Sequence, residues 1–137
     1  MRVFCLTFLA LTLNASCPFC DETILNNQKL YENKLVYALY THKPLIPSHF
    51  LVIPKRHIER LEELTDEEML SIFHTLDKVQ QASSKVFNTV SYFIHQKNGI
   101  EAGQTVPHLH FHLIGKELGD DSDIKFAFKP GWLLIRL

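Results

Sequence analysis

The stretch that most constrains this chain runs from Gly103 to Ile114, Gly-Gln-Thr-Val-Pro-His-Leu-His-Phe-His-Leu-Ile. Its three histidines, His108, His110 and His112, alternate with the apolar Leu109, Phe111 and Leu113. In an extended strand successive side chains leave on opposite faces. The spacing therefore predicts a strand with one core face and one accessible face carrying imidazoles about 6.6–7 Å apart. Two histidines at i and i+2 suit a metal. A neutral imidazole is also a competent nucleophile near pH 7, because its ordinary pKa is about 6.5. Gly103-Gln104-Thr105 just upstream adds an approachable backbone, an amide and a hydroxyl. Those groups suit phosphate oxygens and are superfluous for a metal alone. Attack on phosphorus would give a phosphohistidine that water can hydrolyse. One cation held jointly by all three histidines is the competing reading.

The remaining pattern supplies the frame. Leu30-Tyr31 and Leu35 to Tyr40 read as strands joined by a turn at Glu32-Asn33-Lys34. His49 to Ile53 is almost continuously apolar, a strand buried on both faces, and Pro54 ends it. Thr89 to Gln96 is a further strand. Thr23 to Leu25 fits a strand or a short helix, Asn26-Asn27-Gln28 a turn, and Ile58 to Leu64 a short helical piece. The long helix is clearer. Thr65 with Glu68 forms a capping box, acidic residues fill the first turn, and Met69, Ile72, Phe73, Leu76, Val79, Ser83, Val86 and Phe87 recur at helical spacing. The helix should end near Phe87 or Asn88. Strand runs beside a helical run give an α+β domain: about five antiparallel strands with one long and one short helix.

At 137 residues the chain has room for one domain with its own core. Hydrophobic content of 46% and charged content of 21% fit a soluble globular class. A formal net charge of −1 argues against coating a nucleic-acid polymer, though not against binding a small nucleotide. Three cysteines, Cys5, Cys17 and Cys20, are poor material for a disulfide framework. Cys17-Pro18-Phe19-Cys20 alone is compatible with a redox pair, half a metal site, or no special role. Residues 1–16 read as a leader or an N-terminal extension, and residues 17–137 as a single domain. Val3 to Leu13 is apolar behind Arg2, like a short signal-peptide core, and too short to span a membrane. A cytoplasmic location is the expectation, with export the alternative. The tail is polar from Glu117 to Asp123, and Trp132-Leu133-Leu134-Ile135 suits a last strand or a covered surface.

The His-Leu-His-Phe-His-Leu-Ile run behind Gly-Gln-Thr, with Pro47-Ser48-His49-Phe50-Leu51-Val52-Ile53-Pro54-Lys55-Arg56-His57-Ile58 upstream, resembles the histidine triad (HIT) hydrolases and transferases over about residues 17 to 115. The resemblance implies the HIT fold, commonly a homodimer. It also implies a purine nucleotide substrate, either a nucleoside 5′-phosphoramidate or a dinucleoside polyphosphate. His110 would be the nucleophile, with His112 touching the phosphoryl oxygens or the leaving group, and Gln104 and Thr105 at phosphate-contacting positions. It further implies a structural zinc held by Cys17, Cys20, His49 and His108. A nucleotidyltransferase, or a non-catalytic nucleotide-binding protein, would share these features.

The chain departs from the family at three places. Lys97, with Asn98 next to it, stands where relatives place an amide against the phosphate; either the lysine serves a more anionic substrate or Asn98 takes over the contact. Thr41 stands where relatives grip the ribose with Asp or Asn. Gly115-Lys116 replaces a nearby arginine. His42, His57, His74 and His95 read as structural or surface residues, with His57 on the surface after Lys55-Arg56 and His95 turned toward the loop at Lys97.

Overall fold

In the computed structural model, residues 17–120 are described. The apolar run at 3–13, Cys5 and the Trp132–Ile135 segment lie outside them. Helix α1 (Glu22–Gln28) leads into strands β1 (Lys29–Glu32), β2 (Val36–Tyr40) and β3 (His49–Pro54). Helix α2 (Asp66–Phe87) follows, then β4 (Thr89–Gln96) and β5 (Phe111–Glu117). The strands form one sheet in the order β1-β2-β3-β5-β4, antiparallel at every pairing.

Local sequence explains most boundaries. Asp21 Oδ1 accepts the Thr23 and Ile24 N–H groups and starts α1. Residues 23–25 are therefore helical, and the turn expected at 26–28 is the end of that helix. Asn33 Oδ1 accepts the Leu35 and Val36 N–H groups and closes the β1–β2 turn. At α2, Thr65 Oγ1 accepts the Glu68 N–H while Glu68 Oε2 accepts the Thr65 N–H, a reciprocal cap worth about 1 kcal/mol. The helix ends at Asn88, in the left-handed region at φ 54°. Between β3 and α2 only Leu61–Glu63 forms a helical turn, of the 3₁₀ type, which is shorter than the expected 58–64 piece.

Period-two alternation divides the core. Phe50, Val52, Leu109, Phe111 and Leu113 join Ile72, Leu76 and Val79 beneath α2. Leu51, Ile53 and Leu39 pack on the other face with Phe19 and Leu25. The histidines thus lie on the face opposite α2, as the alternation predicts. Two details differ. In α2 the buried face is Ile72, Thr75, Leu76, Val79 and Ser83, whereas Met69, Phe73 and Val86 are exposed. In the triad run, ladder pairing begins only at Phe111, so His112 alone lies on a strand. The cause is Pro54, which ends β3 and offers no N–H. Leu109 N–H instead reaches Ile58 O at 2.6 Å, and His108 N–H reaches Val106 O at 2.8 Å.

Candidate active site and metal cluster

The three triad imidazoles are each held by a different partner. His108 is fully buried, and its Nε2 lies 2.9 Å from Pro54 O. A carbonyl only accepts, so Nε2 carries the proton and Nδ1 keeps its lone pair. His110 Nδ1 lies 2.6 Å from His108 O, so the same logic leaves the lone pair on Nε2. That Nε2 has no partner among the described residues. His110 is 6% exposed, more enclosed than the accessible face predicted from alternation, and Phe19 packs against its ring with centroids 5.3 Å apart.

His112 is oriented through a relay. Leu45 N–H donates to His49 Nδ1 at 3.1 Å, which puts the His49 proton on Nε2. His49 Nε2 lies 2.8 Å from His112 Nδ1, so neutral His112 carries its own proton on Nε2 as a hydrogen-bond donor. His95, the cross-strand partner of His112, stacks on it with centroids 4.2 Å apart and planes 8° from parallel. Burial, then the neighbouring His95, His110 and His49, pulls His112 down to about 2. Burial, then Lys97, pulls His95 down to about 4. Burial also lowers His110, opposed by the His108 carbonyl and reinforced by Lys97. The site therefore presents neutral imidazoles at pH 7.

The expected anion donors fall into two groups. Gln104 Oε1 accepts the Gly99 N–H at 2.7 Å and its Nε2 donates to Glu59 O at 3.0 Å. Asn98 Oδ1 accepts the Leu61 N–H and the Gln96 amide. These two amides brace the loop in this state. Lys97 has no carboxylate partner among the described residues. Its stem lies over Gly103, where an added Cβ would sit 3.3 Å from Nζ, and Gly103 itself has φ +82°. Thr105 is exposed and Thr41 half-buried, just past the end of β2.

The structure groups Cys17, Cys20 and His108 with His57 rather than with His49. Cys17, Cys20, His57 and His108 bring their ligand atoms within 4.8 Å of one another. His49 does not join them, because both of its ring nitrogens serve the relay to His112. His57 is exposed, as its sequence context implies, yet its Nδ1 lies 3.4 Å from Cys20 Sγ. His108 Nδ1 lies 3.3 Å from Cys17 Sγ and 3.6 Å from Cys20 Sγ. Tetrahedral zinc at ordinary Zn–S and Zn–N lengths separates its S and N ligands by about 3.5 Å. The donor set and its spacing therefore fit zinc, and the Pro54 carbonyl turns the His108 lone pair toward it. His110 and His112 stand outside this group, which argues against one ion clasped by the whole histidine row.

Comparison with known proteins agrees with this picture. The chain is 41% identical, over 99 residues, to the asymmetrical bis(5′-nucleosyl)-tetraphosphatase of Schizosaccharomyces pombe, covering 72% of this chain and 54% of that protein. Across four curated relatives it spans 21% to 59% of the relative's own length. The crystal structure of a HIT family protein from Bacillus anthracis superposes with a TM-score of 0.72 at 33% identity, covering 85% of this chain and 84% of the other. A zinc-bound histidine triad family protein of Mycobacterium smegmatis superposes with a TM-score of 0.71 at 25% identity, covering 80% and 81%. Residues 23–119 match the HIT domain, and the chain belongs to the HIT family.

Proposed function

We propose that this chain hydrolyses nucleotides in which a nucleoside 5′-phosphate is joined to a leaving group through a phosphoramide or phosphoanhydride bond. The carrying observation is the 2.6 Å contact of His110 Nδ1 with His108 O, which leaves a lone pair on Nε2. His110 Nε2 attacks the α-phosphorus. The P–N bond forms as the bond to the leaving group breaks, and the leaving group departs with that bond's electrons. Water then displaces Nε2 and supplies both the new phosphate oxygen and the proton that the leaving group takes overall. The Nε2–H of neutral His112 faces the growing negative charge on the phosphoryl oxygens, with Lys97 and Thr105 as further donors. Gln104 and Asn98 shape the loop around them, and Thr41, just past the end of β2, is assigned to the ribose. The S. pombe relative, named as a bis(5′-nucleosyl)-tetraphosphatase, supports a dinucleoside polyphosphate among the substrates.

Cys17, Cys20, His57 and His108 would hold a structural zinc, whose chemistry here is to anchor the N-terminal segment beside the triad. We also infer a homodimer formed through β4, the edge of the sheet. Val90, Tyr92 and Ile94 alternate along that strand and are 62%, 50% and 38% exposed.

The decisive experiment is acid-quenched incubation with diadenosine tetraphosphate or adenosine 5′-phosphoramidate, followed by mass-spectrometric mapping. An adenylyl adduct on His110, lost together with turnover in His110→Ala, is the expected result. Turnover retained in His110→Ala would overturn the reading.

A further inference from the structure

Between the two cysteines of the metal cluster stands Phe19, which nothing in the proposed chemistry yet uses. It is 8% exposed. Its ring meets His110 edge-on, with centroids 5.3 Å apart and planes at 66°, and meets His108 at 5.8 Å and 80°. The turn carrying it is closed by the Cys20 N–H donating to Cys17 O at 3.0 Å. Behind it lie Leu25, Leu39, Leu51 and Ile53.

We propose that Phe19 is a positioning residue for His110, and that the Cys17–Cys20 turn makes His110 responsive to the metal state of the Cys17, Cys20, His57 and His108 cluster. The inference rests on His110 being the nucleophile. One hydrogen bond, from Nδ1 to His108 O, fixes a single atom of the His110 imidazole and leaves the plane free to rock about that contact. The Phe19 ring packed against the imidazole, with planes at 66°, restricts that freedom. Phe19 can do so only while its two flanking cysteines stay put. Without metal they hold the histidines through weak sulfur contacts of 3.3 to 3.6 Å. A bound zinc replaces those contacts with ligand bonds to Cys17, Cys20 and His108 at once, fixing both ends of the turn that carries Phe19. Loss of zinc thus loosens the nucleophile without removing any group that touches substrate.

The test uses the full chain, ¹⁵N-labelled, with long-range imidazole spectra recorded after zinc loading and after chelation. In the wild type, the His110 signals should be single and sharp, with the proton on Nδ1, and should shift or broaden on chelation. In Phe19→Leu, zinc should remain at about one per chain. Its zinc-loaded His110 signals should already resemble those of the chelated wild type, and kcat should fall about tenfold with KM held within about twofold. The inference is overturned if chelation leaves the wild-type His110 signals unmoved, a result that needs no variant to fold. It is equally overturned if Phe19→Leu lowers only the melting temperature. Turnover surviving in His110→Ala would remove the nucleophile reading instead, leaving the spectroscopic coupling to stand or fall by itself.

Discussion

His49 Nε2 sits 2.8 Å from His112 Nδ1, and this contact gives two neighbouring histidines different duties. His49 is committed to orienting His112, while His57 takes the place beside the cysteines. Metal content separates the two roles. His49→Ala should retain about one zinc per chain and lose about a hundredfold in kcat, since His112 is then free to place its proton on either nitrogen. His57→Ala and Cys20→Ser should lose most of their zinc. Elemental analysis of the purified variants checks this. A zinc-free His49→Ala beside a zinc-replete His57→Ala would reverse the assignment.

Lys97 gives a second prediction. An ammonium with no carboxylate partner among the described residues, whose charge reaches His95, His110 and His112, would complement a substrate with more than one phosphate. In Lys97→Asn, kcat/KM for diadenosine tetraphosphate should fall about tenfold, or about 1.4 kcal/mol, while adenosine 5′-phosphoramidate stays within about twofold. Equal losses on both substrates would make Lys97 a general contact to the attacked phosphate rather than a discriminator.

How far these roles were legible in the sequence depended on how local their causes are. The α2 cap needs only Thr65 and Glu68, three residues apart, and its position could be read directly. The two-faced triad run followed from alternation, although the start of its ladder did not, since that depends on Pro54 in another strand. His57 was hidden by its charged neighbours. The turn that brings it under His108, with ring centroids 4.9 Å apart, is tied down by Ile58 O accepting the Leu109 N–H from far along the chain. The stacking of His95 on His112 needs the β4–β5 register. Gln104 and Asn98 have the right chemistry for phosphate, and only their distant partners, Glu59 O and Leu61 N–H, reveal them as braces.

Stability should depend on pH through Glu68. Arg56, donating to both carboxylate oxygens at 2.8 and 2.9 Å, holds this buried carboxyl at about 2, below its ordinary value of 4.5. A depressed folded value means that the ionised form stabilises the fold. The contribution is therefore complete above pH 4.5 and lost as pH falls from there toward 2. Arg56 is half exposed, so solvent screening reduces the effect to about 1–2 kcal/mol. Thermal melts of wild type and Glu68→Gln should differ most at pH 6, and the gap should narrow steadily as pH falls from 4.5 to 2.5. A gap that stays constant down to pH 2.5 would rule out the ion pair as its origin.

The last prediction concerns the edge of the sheet. Among the described residues β4 pairs only with β5, leaving its other side unladdered there, and Val90, Tyr92 and Ile94 stand exposed along it. An open edge with an apolar stripe favours pairing with a second strand, and an identical β4 related by a two-fold axis satisfies both backbones at once. A buried like-charge pair across that axis would oppose it. Tyr92→Glu places one carboxylate from each chain near the symmetric contact; Tyr92 lies opposite Gly115 on the α2 side of the sheet but is half exposed and outside the buried cluster, so folding should be retained. Sedimentation at micromolar concentration should show a dimer for the wild type and a monomer for Tyr92→Glu, with zinc content unchanged. A wild-type monomer would leave the stripe without this function, and a dimer persisting in Tyr92→Glu would move the interface away from β4.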